Sequence, residues 1–128
     1  MERTRTIVKT QKAPGAIGPY SQAVKTDTMV FVSGQLALDP ATGNLVKDNI
    51  KTEVRQAMNN LKSILEAAGS NLEKVVKTTL FIKSMNDFSL INEVYGEFFK
   101  QNPPARACVE VARLPKDAGF EIEAVALL

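Results

Sequence analysis

The stretch PARACVEVARLPKDAGFEIEAVA, residues 104–126, decides the fold of this chain. It begins as a strand, passes through a Pro-Lys-Asp-Ala-Gly turn and returns as a second strand. Successive strand side chains point to opposite faces, so Arg106 and Cys108 share one face of the first strand. By the same alternation, Glu121 and Glu123 share one face of the second. Guanidinium and carboxylate groups are costly to bury unless they are paired or used, so we expect a closing hairpin with Arg106 as the anchor of an active site.

Length and composition are those of one globular domain, which we assign to residues 1–128. The hydrophobic share of 45% and the charged share of 23% are ordinary for such a domain. Sixteen basic and fourteen acidic residues leave a net charge of +2, which argues against nucleic acid or a membrane surface as partner. No apolar run approaches the ~20 residues of a membrane span. The N-terminus lacks the apolar segment of a secretory signal, so we expect a cytoplasmic protein, with organelle import left open.

The chain contains no histidine and a single cysteine. Without histidine it lacks the usual base of hydrolytic triads, the commonest metal ligand and the paired-histidine chemistry of many ribonucleases. One cysteine excludes an intrachain disulfide and a multi-cysteine zinc site. Any catalysis must therefore use carboxylates, Arg, Lys, Tyr, Ser, the lone cysteine, backbone groups and water.

Two amphipathic helices are predicted, over residues 50–68 and 87–100. In the first, apolar residues recur at the three- and four-residue spacing of one buried face. Asp48 or Asn49 can cap its start, and Gly69 suits the position just after its end.

Strands are predicted on both sides of these helices, at residues 4–10, 20–25, 29–33 and 75–83 and in the two halves of the closing stretch. Gly34 after the third strand indicates either a bulge or a close approach of the backbone to another group. The order β-β-β-α-β-α-β-β favours an α+β two-layer domain, in which two helices cover one face of a mostly antiparallel six-stranded sheet. The last strand carries apolar residues on both faces, Val125 and Leu127 on the second, so we expect this partly apolar sheet face to pack against another copy in a homo-oligomer.

Several motifs occur together and in a fixed order: IGPYSQAV at 17–24, VSGQ at 32–35, VKTTLFI at 76–82, MNDF at 85–88, INEVYGEFF at 91–99, and the closing stretch. Together they resemble the reactive intermediate deaminase A family, also called the YjgF-type family. The resemblance runs from about Ala13 to Ala126, nearly the whole chain. One departure is Ala107, where many relatives carry serine, so any contact from that hydroxyl is missing here.

The resemblance implies a chorismate-mutase-like fold and a homotrimer whose sheets form a central barrel, with ligand sites in the clefts between subunits. It also implies hydrolysis of reactive enamines and imines, such as 2-aminoacrylate and related 2-imino acids, to 2-keto acids and ammonia. No cofactor or metal is expected. The functional partners it implies are pyridoxal-phosphate-dependent dehydratases, which release such intermediates.

The resemblance also assigns the two catalytic residues. Arg106 stands at the position of the carboxylate-binding arginine, whose planar guanidinium can hold a carboxylate through two parallel hydrogen bonds. Its plainer interpretation is an ion pair on a sheet face. Glu121 matches the glutamate that orients the attacking water and carries protons, since an imine needs hydroxyl at carbon and a proton at nitrogen. A simple hairpin register would not place Glu121 opposite Arg106, so a meeting of the two residues through another subunit stays open.

Five further residues are predicted to bind substrate. Tyr20 would close the pocket, although a tyrosine after Gly-Pro is often only a loop residue packed on the core. Ser33 and Gly34 would line the site, with a simple bulge as the alternative for Gly34. Asn92 could bind across an interface or cap a strand end. Cys108 would contribute through its backbone, because no histidine exists to activate its thiol.

Two other kinds of function are weighed against the deaminase. One is a ribonuclease or translation inhibitor, an activity also attributed to members of the family. The low net charge and the missing histidines argue against it. The other is a non-catalytic protein that binds small carboxylates or acts as a holdase. Such a protein would keep Arg106 and would not depend on Glu121.

Overall fold

The structure, a computed structural model, describes residues 4–128. Its strands are β1 Thr6–Val8, β2 Ala23–Lys25, β3 Met29–Gln35, β4 Val75–Ile82, β5 Ala105–Glu110 and β6 Phe120–Leu127. They form one sheet in the order β1-β2-β3-β6-β4-β5. Every neighbouring pair is antiparallel except β4 and β5, which run parallel. The predicted α+β class with a mostly antiparallel six-stranded sheet is confirmed.

Two helices, α1 Ile50–Ala67 and α2 Phe88–Phe98, complete the fold. The α1 helix begins where the Asn49 side chain accepts a hydrogen bond from Thr52 N at 2.9 Å, so Asn49 is the cap. It ends before Gly69, whose φ of +87° suits glycine. Within residues 4–128 no helix is long and apolar enough to cross a membrane.

The core lies between the helices and one face of the sheet. Alternate residues of β6 are buried there, among them Phe120 and Ile122 at 0% exposure. They pack with the apolar face of α1, including Leu61 and Leu65. The intervening β6 residues, beginning with Glu121, therefore point to the opposite face of the sheet.

The predicted closing hairpin is wrong. Although β5 and β6 are consecutive in the chain, they do not pair: β5 runs parallel to β4, and β6 lies between β3 and β4. The burial of the two strands gives the reason. β6 has a fully buried face and takes a central place with partners on both edges, whereas most of β5 is exposed and lies at the sheet edge.

The bulge predicted at Gly34 is confirmed. Val32 pairs with Ala124 and Gln35 with Ile122, so three steps along β3 match two steps along β6. The extra residue bends β3 and brings the Gly34 backbone towards the neighbouring Glu121 side chain.

Candidate active site

A cavity of about 480 Å³ opens on the sheet face that the helices do not cover. Its wall is formed by residues from the segments 14–22 and 33–38 and by Pro115, with Glu121 and Glu123 of β6 inside. The wall mixes apolar side chains with a few polar groups, as is usual for a site that binds a small molecule. The structure thus brings Glu121 together with three predicted substrate-binding residues, Tyr20, Ser33 and Gly34.

Gly34 touches the carboxyl group of Glu121. A Cβ atom at position 34 would lie 2.6 Å from Glu121 Oε2 and 2.9 Å from its Cδ, closer than carbon atoms approach such groups. The absence of a side chain at Gly34 therefore gives the carboxyl group its place at the bulge. Gly34 is both a bulge residue and a wall of the cavity.

The environment of Glu121 favours the protonated carboxyl group. Burial raises the pKa of Glu121 above its usual value, and the like charge of Glu123 raises it further. A carboxyl group with a raised pKa exchanges a proton more readily near neutral pH than an ordinary glutamate does. This property suits a residue that takes a proton from water and later returns it.

The loop that carries Tyr20 is fixed by the buried side chain of Gln22. Its amide nitrogen donates to the carbonyl oxygens of Thr10 at 3.0 Å and Pro14 at 2.8 Å, and its oxygen accepts from Thr10 N at 2.8 Å. Ser33 Oγ donates to the carbonyl oxygen of the residue after Tyr20 at 2.6 Å. These bonds hold Tyr20, which is 49% exposed, at the mouth of the cavity.

Arg106 belongs to a second group of residues, between β5 and α2. Its Nη1 donates to Asn92 Oδ1 at 2.7 Å. Its Cζ lies 4.9 Å from the ring centroid of Tyr95 and 5.5 Å from that of Phe88, within the range of cation–π attraction. Asn92, predicted to bind substrate or to cap a strand, thus contacts the guanidinium directly.

Cys108 lies next to Arg106 on the same face of β5. Burial raises the pKa of its thiol, and the positive charge of Arg106 offsets this only in part. A thiol with a raised pKa is a poor nucleophile at neutral pH. The raised pKa therefore argues against Cys108 as a nucleophile, and its role as a wall of the substrate pocket stays a prediction.

The two groups lie on opposite faces of the sheet within one chain. Arg106 pairs with Thr78 of β4, a fully buried residue on the helix side. Glu121 pairs with Phe81 of the same strand, three residues further along and on the other side. One copy of the chain therefore cannot bring Arg106 and Glu121 to the same small ligand.

Residues that sequence reasoning did not single out also shape the site. Gln22 belongs to the quoted IGPYSQAV motif, but its role as a loop anchor depends on contacts with residues 10–14. Glu53 of α1 is 5% exposed and accepts a hydrogen bond from Gly119 N at 2.7 Å, close to the start of β6. The sequence signal that could have identified Glu53 is its position on the apolar side of α1. Among residues 4–128 no three acidic or cysteine side chains converge as metal ligands would.

Comparison with known proteins shows similarity along almost the whole chain. The family described as endoribonuclease L-PSP matches residues 10–128. A RutC family protein of Pyrococcus horikoshii is 52% identical over 122 residues, covering 95% of this chain and 97% of that protein. The human protein named 2-iminobutanoate/2-iminopropanoate deaminase is 50% identical over 123 residues, covering 96% of this chain and 90% of its own.

Solved structures show the same fold. E. coli TdcF, crystallised with bound serine, superposes with a TM-score of 0.92 at 47% identity, covering 96% of this chain and 98% of its own. The E. coli YjgF gene product superposes with a TM-score of 0.90 at 46% identity, covering 95% and 98% of the two chains.

Proposed function

Because this chain belongs to the endoribonuclease L-PSP family and its motifs resemble those of the YjgF-type deaminases, we propose that it hydrolyses reactive enamines and imines to 2-keto acids and ammonia. The observation that carries this proposal is the half-buried Glu121 carboxyl group, whose raised pKa and fixed place against Gly34 suit proton transfer in a small cavity. The human relative, which is 50% identical to this chain, is named as a deaminase.

Glu121 can serve both halves of the reaction. In its ionised form it takes a proton from water while the water oxygen bonds to C2 of the protonated imine, which gives a neutral carbinolamine and the acid form of Glu121. In the second half the acid form of Glu121 protonates the nitrogen, the C–N bond breaks and ammonia leaves. The hydroxyl proton returns to Glu121 as the C2 carbonyl forms, and its transfer to the released ammonia leaves Glu121 ionised again. An enamine such as 2-aminoacrylate enters this sequence as its imine tautomer.

Arg106 is the proposed binding group for the substrate carboxylate. A guanidinium can form two parallel charge-assisted hydrogen bonds to a carboxylate, which fixes the plane of a 2-imino acid as well as its position. TdcF, which is 47% identical to this chain, was crystallised with serine, a ligand that also carries a carboxylate. Tyr20, Ser33, Asn92 and the Cys108 backbone are proposed as further contacts.

We further propose that the working unit is a homotrimer with its sites between subunits. Within one chain Arg106 and Glu121 point to opposite faces of the sheet, so a second copy is needed to complete the site. The uncovered face of the sheet also carries exposed apolar side chains, including Phe31 at 47% and Leu127 at 46% exposure. Apolar surface of this kind favours contact with another copy.

The finer activity, on 2-iminobutanoate and 2-iminopropanoate, follows from the relatives' names and is also a proposal. Both compounds are small 2-imino acids without a charged side chain, in keeping with the apolar part of the cavity wall. Pyridoxal-phosphate-dependent dehydratases acting on serine or threonine would supply these substrates.

A coupled assay tests the proposal. A serine or threonine dehydratase generates the imine, and 2-keto acid formation is followed with and without this protein. We expect the wild-type protein to accelerate the step above the rate in buffer, and Arg106→Ala and Glu121→Ala to abolish the effect. Cys108→Ala is the matched control, and it should retain most activity.

The alternatives predict other results. A binding protein would hold a 2-keto acid through Arg106 without accelerating hydrolysis, and Glu121→Ala would leave binding unchanged. A ribonuclease would cleave RNA independently of Arg106. Absence of any acceleration by folded, oligomeric wild-type protein would reject the deaminase.

A further inference from the structure

One face of α2 forms a cradle around the Arg106 guanidinium. Phe88, Asn92 and Tyr95 recur at positions i, i+4 and i+7, which places them in one row along a helix. Both rings lie within 5.5 Å of Arg106 Cζ, and the Asn92 oxygen accepts its hydrogen bond. We call Phe88, Asn92 and Tyr95 the α2 cradle.

The Tyr95 ring is itself fixed from behind. Its hydroxyl shares a hydrogen bond with Thr78 Oγ1 at 2.8 Å, and the two residues are 6% and 0% exposed. Thr78 is also the β4 partner of Arg106 in the sheet register. Thr78 therefore pairs with Arg106 through its backbone and also holds the Tyr95 ring that faces the Arg106 side chain.

All three members of the cradle are uncharged. Other basic residues, for example Lys51 and Arg55, pair with carboxylates at 2.8 and 2.9 Å. For Arg106, by contrast, residues 4–128 place no carboxylate within ion-pair distance. A carboxylate would orient the guanidinium equally well, but it would neutralise the charge and occupy the donors that an anionic ligand needs.

We propose that the α2 cradle orients Arg106 through uncharged groups and so keeps its full positive charge for the carboxylate of the substrate. Phe88 and Tyr95 are then positioning residues, since they act on the ligand only through Arg106. A guanidinium already held in its binding orientation loses less side-chain entropy when the ligand arrives. This inference rests on the proposed function, because it assigns a carboxylate ligand to Arg106.

Replacing the rings tests the proposal. In Phe88→Leu and Tyr95→Leu, we expect the affinity for 2-oxobutanoate, measured by calorimetry, to fall about 5- to 30-fold, as for loss of a partly desolvated cation–π contact. KM for the imine should rise by a similar factor, with kcat less affected, because the chemistry at Glu121 is untouched. Tyr95→Phe keeps the ring and should lose less affinity. Phe98→Leu removes a ring of the same helix away from Arg106 and should bind as wild type.

The Asn92→Asp variant keeps the orientation of the Arg106 guanidinium but changes the charge beside it. The substitution keeps an oxygen acceptor for Arg106 Nη1 and adds a negative charge beside the guanidinium. We expect tighter pairing with Arg106 and an unchanged or higher melting temperature, together with at least as large a loss of 2-oxobutanoate affinity as in Tyr95→Leu. Because Asn92 is also a proposed substrate contact, a loss in this variant supports the cradle only together with a loss in Phe88→Leu, whose ring is not a proposed contact.

The outcomes distinguish this inference from the proposed function. Wild-type affinity in folded Phe88→Leu and Asn92→Asp, with Arg106→Ala unable to bind 2-oxobutanoate, would overturn the cradle alone. Unchanged binding in Arg106→Ala would overturn the carboxylate role of Arg106 and the cradle with it. If Tyr95→Leu does not fold, the half-buried Phe88 and the polar Asn92 still give the decisive variants.

Discussion

At the scale of single residues, the proposed site rests on a glycine as well as on a glutamate, because Gly34 leaves the space that the Glu121 carboxyl group occupies. The bulge at Gly34 could be predicted because a glycine at the end of a β-rich run typically marks a local irregularity of the strand. Its contact with Glu121 could not, since the two residues are 87 positions apart in the sequence and meet only once β3 pairs with β6. The close approach explains why this position has no side chain.

Gly34→Ala should impair catalysis more than folding. The new Cβ would lie 2.6 Å from Glu121 Oε2, so the carboxyl group must move, and it can do so because it ends a flexible side chain. We expect kcat to fall roughly 100-fold, as for a displacement of about 1 Å at a catalytic group. Coupled-assay kinetics would measure the loss, and thermal unfolding should show a shift of only a few degrees. Wild-type kcat in Gly34→Ala would show that the position of Glu121 is not critical.

The pH dependence of the reaction should report on Glu123. The pKa of Glu121 is raised by burial and by the charge of Glu123, so the acidic limb of kcat lies at higher pH than for an ordinary carboxyl group. Glu123→Gln removes the like charge and should shift this limb to lower pH. Glu110→Gln, an exposed carboxylate on β5, is the matched control and should not shift it. If the acidic limb of the kcat profile stays at the same pH in Glu123→Gln, the group that titrates in this profile is not Glu121.

The same raised pKa also fixes the sign of a stability effect. A carboxyl group whose pKa is higher in the folded protein than in the unfolded chain stabilises the fold below its unfolded pKa. That contribution is lost as pH rises through the folded pKa. Glu121 therefore costs stability at neutral pH, a common feature of functional groups held in place by the surrounding structure.

At the scale of elements, local patterns were predictable and strand partners were not. Helix α1 was predicted within one residue, because its periodicity, its Asn49 cap and Gly69 are all local signals. The prediction of a closing hairpin failed because a Pro-Lys-Asp-Ala-Gly turn between two strands does not specify that the strands pair with each other. Which strand becomes central is decided by burial against α1, a contact between distant segments.

Glu53 connects α1 to the start of β6 and should contribute strongly to stability. Its buried carboxylate accepts from Gly119 N at 2.7 Å, two residues before Glu121. Glu53→Ala removes this acceptor and should cost about 2–3 kcal/mol, measured by urea unfolding. Glu53→Gln keeps an acceptor and should cost less. Glu97→Ala, which breaks an exposed ion pair with Arg55, is the control and should cost less than about 1 kcal/mol. An equal loss of stability in Glu53→Ala and Glu97→Ala would show that the Glu53–Gly119 contact does not contribute strongly to stability.

At the scale of the whole molecule, one chain does not bring Arg106 and Glu121 to the same face of the sheet, so the proposed site needs a second copy. Alternation along β5 and β6 already indicated which side chains share a strand face. It could not relate Arg106 to Glu121, because that depends on β4 lying between the two strands. The structure places them on opposite sheet faces, so the proposed mechanism requires that subunits assemble.

Mixing two inactive variants provides a direct test of this shared site. If Arg106 of one subunit serves the same site as Glu121 of its neighbour, co-expressed Arg106→Ala and Glu121→Ala chains should form some intact sites. Random mixing in a closed ring gives about one quarter intact sites, and hence about one quarter of wild-type activity. Each variant alone is the control, and native mass spectrometry verifies that mixed oligomers form. Mixed oligomers no more active than either parent would mean that both residues act within a single subunit or that one of them has no part in the reaction.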